Sequence, residues 1–241
     1  MAVRFYSRDP LLLGCFTLEG TEAHHLLHVM RLGIGDEVTL FNGDGKQYRA
    51  VVISTAKRHV DLNVTKIESP DLELPFRLHV GSALPKGDRL DFLVEKLTEL
   101  GVTEFTPLIA ERSVVFVRDS KVEKFRQAVI EASKQCGRNV LMGVHSPLKV
   151  TEWCVQENLP VGKWIAHPGG VQVADLGRIR DGLAIAIGPE GGFTEREVEL
   201  ALNAGFQSVS LGPRILRIET AAVAITACVN NLFDRAIRGP V

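Results

Sequence analysis

The sequence predicts an α/β domain with a parallel sheet, preceded by a small β-rich module. Three observations carry this expectation. From residue 76 onward, strand-like runs alternate with helical ones. One of these runs, GLAIAIG at 182–188, is almost wholly apolar, as a central parallel strand covered on both faces requires. Ahead of the alternation lies ESPDLELP at 68–75, which has two prolines and three acids but no apolar period. That is linker chemistry, and it divides the chain into residues 1–72 and residues 73–241.

In the first part, EGTEAHHLLHVMRLGIGDEV opens with Thr21 as an N-cap and stops at Gly33 and Gly35, which predicts a short helix feeding a strand. Short alternating runs fill 41–67, and Asn42-Gly43-Asp44-Gly45 marks a hairpin. In the second part, FRLHVGSAL (76–84) is a strand. The helix that follows, 87–101, carries Leu90, Leu93, Val94, Leu97 and Leu100 on one stripe and stops at Gly101. EFTPLIA (104–110) is the next strand. A capping box from Ser120 to Glu123 opens a helix to about Cys136. A short helix near 151–158, the strand KWIAH (163–167) and the strand at 182–188 come next. Thr194 to Glu197 forms a second capping box for a helix that stops at Gly205; SVSL (208–211) is the last strand and 219–233 the last helix.

Composition sets the limits. The chain has 241 residues, 45% hydrophobic and 24% charged, which is ordinary globular usage. No basic-then-apolar leader and no apolar run long enough to span a bilayer is seen, so a soluble, cytoplasmic protein without membrane association is expected. Cys15, Cys136, Cys154 and Cys228 are far apart with no CxxC, which speaks against a disulfide framework or a zinc cluster. Net charge is −1, and neither part departs further from neutrality, so any nucleic-acid face must come from the placement of individual arginines.

Ligands of open α/β sheets bind beyond the carboxyl ends of the strands. Three loops there are unusual: PGG (168–170), PEGGF (189–193) and GPRILRIET (212–220). Their glycines either let a ligand approach the backbone or simply make tight turns. No P-loop, no G-x-G-x-x-G and no G-x-S-x-G occurs, which argues against triphosphate, dinucleotide and hydrolase sites. His24 and His28 have metal-capable spacing but lack a third ligand, so no metal is expected. Lys86, Arg89, Arg112, Arg126 and Arg138 recur near element ends; a solvated face explains most of them, while Arg112 and Arg138 are placed to face a shared cleft.

The segments LPKGDRLDFLVEKLTELGV, ERSVV, EASKQCGR, IGPEGGFTEREVELALNAGF and LGPRILRIETA, preceded by HHLLHVMRLGIGDEVTLFNGDG, resemble in order the ribosomal RNA small subunit methyltransferase E family along nearly the whole chain. Departures are Ile218, where threonine is more usual, and Met142, near where a proline is more usual. The resemblance implies a PUA-like β-barrel at 1–72 and a SPOUT methyltransferase domain, α/β with a trefoil knot, at 73–241. It implies methyl transfer from S-adenosylmethionine (SAM) to N3 of a uridine in 16S rRNA, of the uracil-1498 type. The cofactor, bent and held mainly by backbone groups, would lie on His167, Pro168, Ile187, Gly188, Gly191, Gly192, Leu211, Gly212, Ile215, Leu216 and Thr220. Two subunits would pair through helices such as 219–233.

Uracil N3 carries a proton that must leave, and an arginine fork suits the resulting planar anion. Arg217 is therefore the expected stabiliser. Glu219 is either the proton acceptor or a carboxylate balanced by the helix dipole. His28 and Arg31 in the first part, with Lys86, Arg112, Arg138 and Arg214 in the second, are the expected RNA contacts. Near-neutral charge suits recognition of the assembled small subunit rather than naked RNA. The rival readings are a SPOUT enzyme acting on a ribose 2′-hydroxyl or another RNA, and a non-catalytic RNA-binding or ribosome-assembly factor.

Overall fold

A computed structural model describes residues 3–115, 119–173, 176 and 181–238. By contact the chain divides into two units, Met1–Glu73 with Ser133–Leu141, and Leu74–Ala132 with Met142–Val241.

The first unit is a five-stranded mixed sheet. Its strands are β1 (Val3–Tyr6), β2 (Gly14–Glu19), β3 (Glu37–Phe41), β4 (Gln47–Thr55) and β5 (His59–Glu68), in the order β1-β3-β4-β5-β2. β1 runs parallel to β3; the other pairs are antiparallel. Alternation decides which face is buried: Tyr48, Ala50 and Val52 of β4 and Val60, Leu62 and Val64 of β5 enter one core. The expected hairpin joins β3 to β4. Asn42 and Asp44 fold it by accepting the backbone N–H two residues on, at 3.2 and 2.9 Å.

The expected helix after β2 is present but capped differently. α1 (Gly20–His24) starts one residue before Thr21 and continues into a π-helical turn, His25–Val29, closed by Met30 N–H bonding His25 O at 2.9 Å. Arg31 then turns the chain with φ of 55°. Segment 133–141 joins this unit through specific bonds. Arg4 donates to Arg138 O (3.1 Å) and Asn139 Oδ1 (2.6 Å), Gly45 N–H to Asn139 O (3.1 Å), and Lys134 to Glu22 (2.9 Å).

The second unit is a parallel sheet: β6 (Leu78–Ser82), β7 (Glu104–Ile109), β8 (Gly143–Val144), β9 (Leu148–Lys149), β10 (Gly162–Gln172), β11 (Leu183–Ile187) and β12 (Gln207–Ser210). The order is β12-β10-β11-β6-β7-β8, with β9 also on β7, and every described pairing is parallel. β6 and β11 are neighbours and buried along their whole length, as the continuous apolar sequence of β11 requires, while β6 also buries His79 and Ser82. The helices are α2 (Arg89–Glu99), α3 (Asp119–Cys136), α4 (Val150–Trp153), α5 (Glu195–Asn203) and α6 (Ile218–Arg238). α2 buries Leu90, Leu93, Val94 and Leu97, the predicted stripe, and packs on α6, where Asn230 Nδ2 donates to Leu100 O at 2.8 Å. The capping box at Thr194 forms as expected, with Glu197 reaching back to Thr194 N–H at 2.8 Å. The side chain of Ser120, on which the other expected box depends, lies outside the described residues.

Candidate active site

Sheet order puts the carboxyl ends of β12, β10 and β11 side by side. The loop after β12 spans 211–217, and the loop after β11 spans 188–194. β10 contributes differently from the expectation that it ends at His167. Ala166 and Val171 both sit opposite Val209, so His167–Gly170 bulges out and the strand resumes to pair again with β12. A bulge of this kind aims residues away from the sheet without ending it.

The three segments enclose one cavity of about 410 Å³. Of the residues expected to hold a cofactor, His167, Pro168, Ile187, Gly188, Gly191, Gly192, Leu211, Gly212, Ile215 and Leu216 line it. Thr220 is not among the lining residues. Ile218 and Ala221, three residues apart on α6, face the cavity, and the helical period leaves Thr220 exposed on another side. Arg214 lines the cavity and is exposed, and Ile215 beside it is 89% exposed.

The glycines divide by role. Gly212 adopts φ of +106°, a conformation that side chains resist, with nothing within 4 Å of where a Cβ would be. Gly188 instead is dictated by packing: a Cβ there would lie 3.1 Å from the Phe193 ring, which belongs to the core beneath the loop.

The turn after β7 braces the β11 loop and the first turn of α5. Arg112 Nη1 donates to Gly191 O at 2.8 Å, and Glu111 N–H donates to Glu197 Oε1 at 2.8 Å. Glu197 is buried, yet both its oxygens are engaged: Oε1 by Glu111, Oε2 by the Thr194 backbone and hydroxyl. The ERSVV motif thus holds the PEGG loop in shape. Sequence spacing could not show this, because the partners are 79 and 86 residues apart.

Arg217 is exposed and lies between two cavity-lining residues, Leu216 and Ile218. Glu219 is 7% exposed. Its Oε1 accepts from Arg89 Nη1 at 3.4 Å, and its Oε2 is buried without a protein partner. Arg89 also stands 4.0 Å from Glu190 of the β11 loop. The structure therefore pairs Glu219 with an arginine that its sequence position on a charged helix face did not single out.

The expected RNA contacts fare unevenly. Lys86, His28 and Arg31 are exposed, and the His24 and His28 rings lie 4.6 Å apart. Arg138 is corrected: it is 3% exposed and donates to both Glu73 oxygens, so its guanidinium braces the first unit and is not presented to a phosphate. Arg112 is partly committed to Gly191.

A small mixed β unit is followed by a parallel α/β unit whose strand-end loops build a cavity, and the family models that match these two parts place the chain among the RNA methyltransferases. A family model described as RNA methyltransferase domain matches residues 72–230, and one described as RNA methyltransferase PUA domain matches residues 18–65. Within that class the chain belongs to the ribosomal RNA small subunit methyltransferase E family. It is 35% identical to the Bacillus subtilis protein of that name over 231 residues, covering 89% of each chain. It is 30% identical to the Buchnera aphidicola one, covering 95% of this chain and 93% of that one. A crystal structure of the Neisseria gonorrhoeae family member bound to S-adenosyl methionine matches with a TM-score of 0.89 and 32% identity, over 97% of this chain and 98% of that one.

Proposed function

We propose that this protein transfers the methyl group of SAM to N3 of a uracil in 16S rRNA, the activity of its family at uracil 1498. The observation that carries the reading is the cavity formed jointly by the β10 bulge and the loops after β11 and β12, in a chain whose Neisseria relative is bound to SAM.

The cofactor supplies an activated methyl on its sulfonium. The protein must align that methyl with N3 and favour the deprotonated imide. Arg217, exposed between cavity-lining neighbours, is the stabiliser of charge that spreads over N3 and the flanking carbonyl oxygens. Glu219, with one buried oxygen lacking a protein donor, is the proton acceptor in this reading. Arg214 and Lys86 hold RNA phosphates, and the target base leaves its stack to reach the methyl. We also take the domain to be trefoil-knotted, the protein to be a cytoplasmic homodimer paired through α6, and the assembled small subunit to be the substrate. Among the described residues, no helix is long and apolar enough to cross a membrane.

The test is transfer of labelled methyl to small subunits lacking the modification, with the product nucleoside identified by mass spectrometry. N3-methyluridine is expected. Methyl on a ribose oxygen would sink the base assignment, and failure of calorimetry to detect SAM binding would sink the enzyme reading. Arg217→Ala is expected to lower kcat by roughly 10²–10³-fold, the cost of losing one oxyanion donor, while SAM affinity changes little.

A further inference from the structure

At the edge of the second unit's sheet opposite the cavity, three side chains meet. His79 is the second residue of β6, Glu104 the first of β7 and paired with it, and His145 follows β8. Glu104 Oε2 is 2.9 Å from His145 Nε2 and 3.8 Å from His79 Nδ1, and the three donor atoms lie within 4.8 Å of one another. His79 is 2% exposed, and its Nδ1 is buried without a hydrogen-bond partner. We propose that His79 Nδ1, Glu104 Oε2 and His145 Nε2 form a binding site for a borderline divalent cation, Zn²⁺ being the model ion.

The chemistry of the donors selects the ion. Two imidazole nitrogens and one carboxylate suit zinc-like metals, whereas calcium and magnesium take oxygen ligands. A tetrahedral ion with bonds of about 2.0 Å needs donor atoms about 3.3 Å apart; Glu104 Oε2 stands 2.9 and 3.8 Å from the two ring nitrogens, and the ion replaces the hydrogen bond that the 2.9 Å contact forms.

Outer partners orient two of the ligands, as metal sites require. Arg77 grips both oxygens of Glu104, leaving Oε2 a second lone pair toward the histidines. Thr106 Oγ1, 2.8 Å from His79 Nε2, accepts that nitrogen's proton when Nδ1 ligates. The longer indole contact from Trp153, 3.4 Å, is given up in that tautomer. That loss and the positive charge of Arg77 both limit affinity. Solvent reaches the fourth position beside His145, which is exposed. The site joins three neighbouring strands at the ends away from the loops that build the cavity, so the ion takes no part in methyl transfer.

Zinc chloride alone, titrated calorimetrically into the chelator-stripped full chain, tests this. One Zn²⁺ per chain and a higher Tm are expected. His145→Ala, at an exposed position that leaves the core intact, should weaken binding by more than the ~10–100-fold lost with an outer partner. His28→Ala should leave binding unchanged, since the His24–His28 pair is the rival zinc ligand. Cobalt substitution should give the visible bands of a four-coordinate ion, absent in His145→Ala. No binding, binding equal in His145→Ala, or binding lost in His28→Ala would each overturn the proposal.

Discussion

Arg217 and Arg138 show how one residue type takes opposite parts. Both stand beside element ends in the sequence; one is exposed between two cavity-lining residues, the other is 3% exposed and bonded to Glu73. Nothing local distinguishes them, because the acid that claims Arg138 lies 65 residues away. Tyr48 offers a test at this scale. Burial first, then its 2.5 Å bond to Asp44, pushes the phenol up to about 12. A folded pKa above the unfolded value of about 10 means that the unfolded chain releases its proton first. The stabilisation is therefore complete below pH 10 and lost as pH rises toward 12. Thermal unfolding across that range should show a steeper alkaline loss in the wild type than in Tyr48→Phe; equal slopes would contradict the assignment.

At the scale of the element, the α5 start is the clearest case of sequence determining structure. The T-x-x-E spacing closes a local hydrogen-bond cycle that needs no tertiary help, so it is legible in four residues. Its wider role is not, since Glu197 also receives Glu111 N–H. Thr194→Ala is expected to cost about 1 kcal/mol of stability, and to weaken SAM binding as well, because α5 begins where the cavity loop ends. Urea denaturation and calorimetry would read the two effects; an unchanged SAM affinity would confine the box to helix stability. The β10 bulge is the contrary case. Pro-Gly-Gly reads as a stop, yet Val171 and Gln172 pair again with β12. Strand resumption depends on a partner on the neighbouring strand, which local composition does not contain.

For the whole molecule, the alternation of strands and helices was enough to call for a parallel sheet, because a parallel connection needs a crossover and usually uses a helix. Strand order was not available from it, and strand order is what brings β12, β10 and β11 together around the cavity. The first unit's claim on Ser133–Leu141 was equally hidden, resting on Arg4 and Gly45 far upstream. A ligand that binds only the folded state stabilises it by mass action. SAM at 100 times its dissociation constant should add about 2.7 kcal/mol to the unit that carries the cavity. Calorimetric scans should show that unit's transition moving up with SAM, and a transition insensitive to SAM would refute binding there.

The sequence by itself determined the helices and the main strands of the second unit, the Asn42–Gly45 hairpin, the three glycine-bearing strand-end loops and, through a chain of separate motifs, the family. Periodicity, capping and turn chemistry act over a few residues, so each is written locally. Only the tertiary structure decided that Arg138 is a buried brace, that Arg89 holds Glu219, and that His79, Glu104 and His145 converge. Those outcomes depend on which strands lie side by side and on what burial leaves unpaired, and both are properties of contacts between residues distant along the chain.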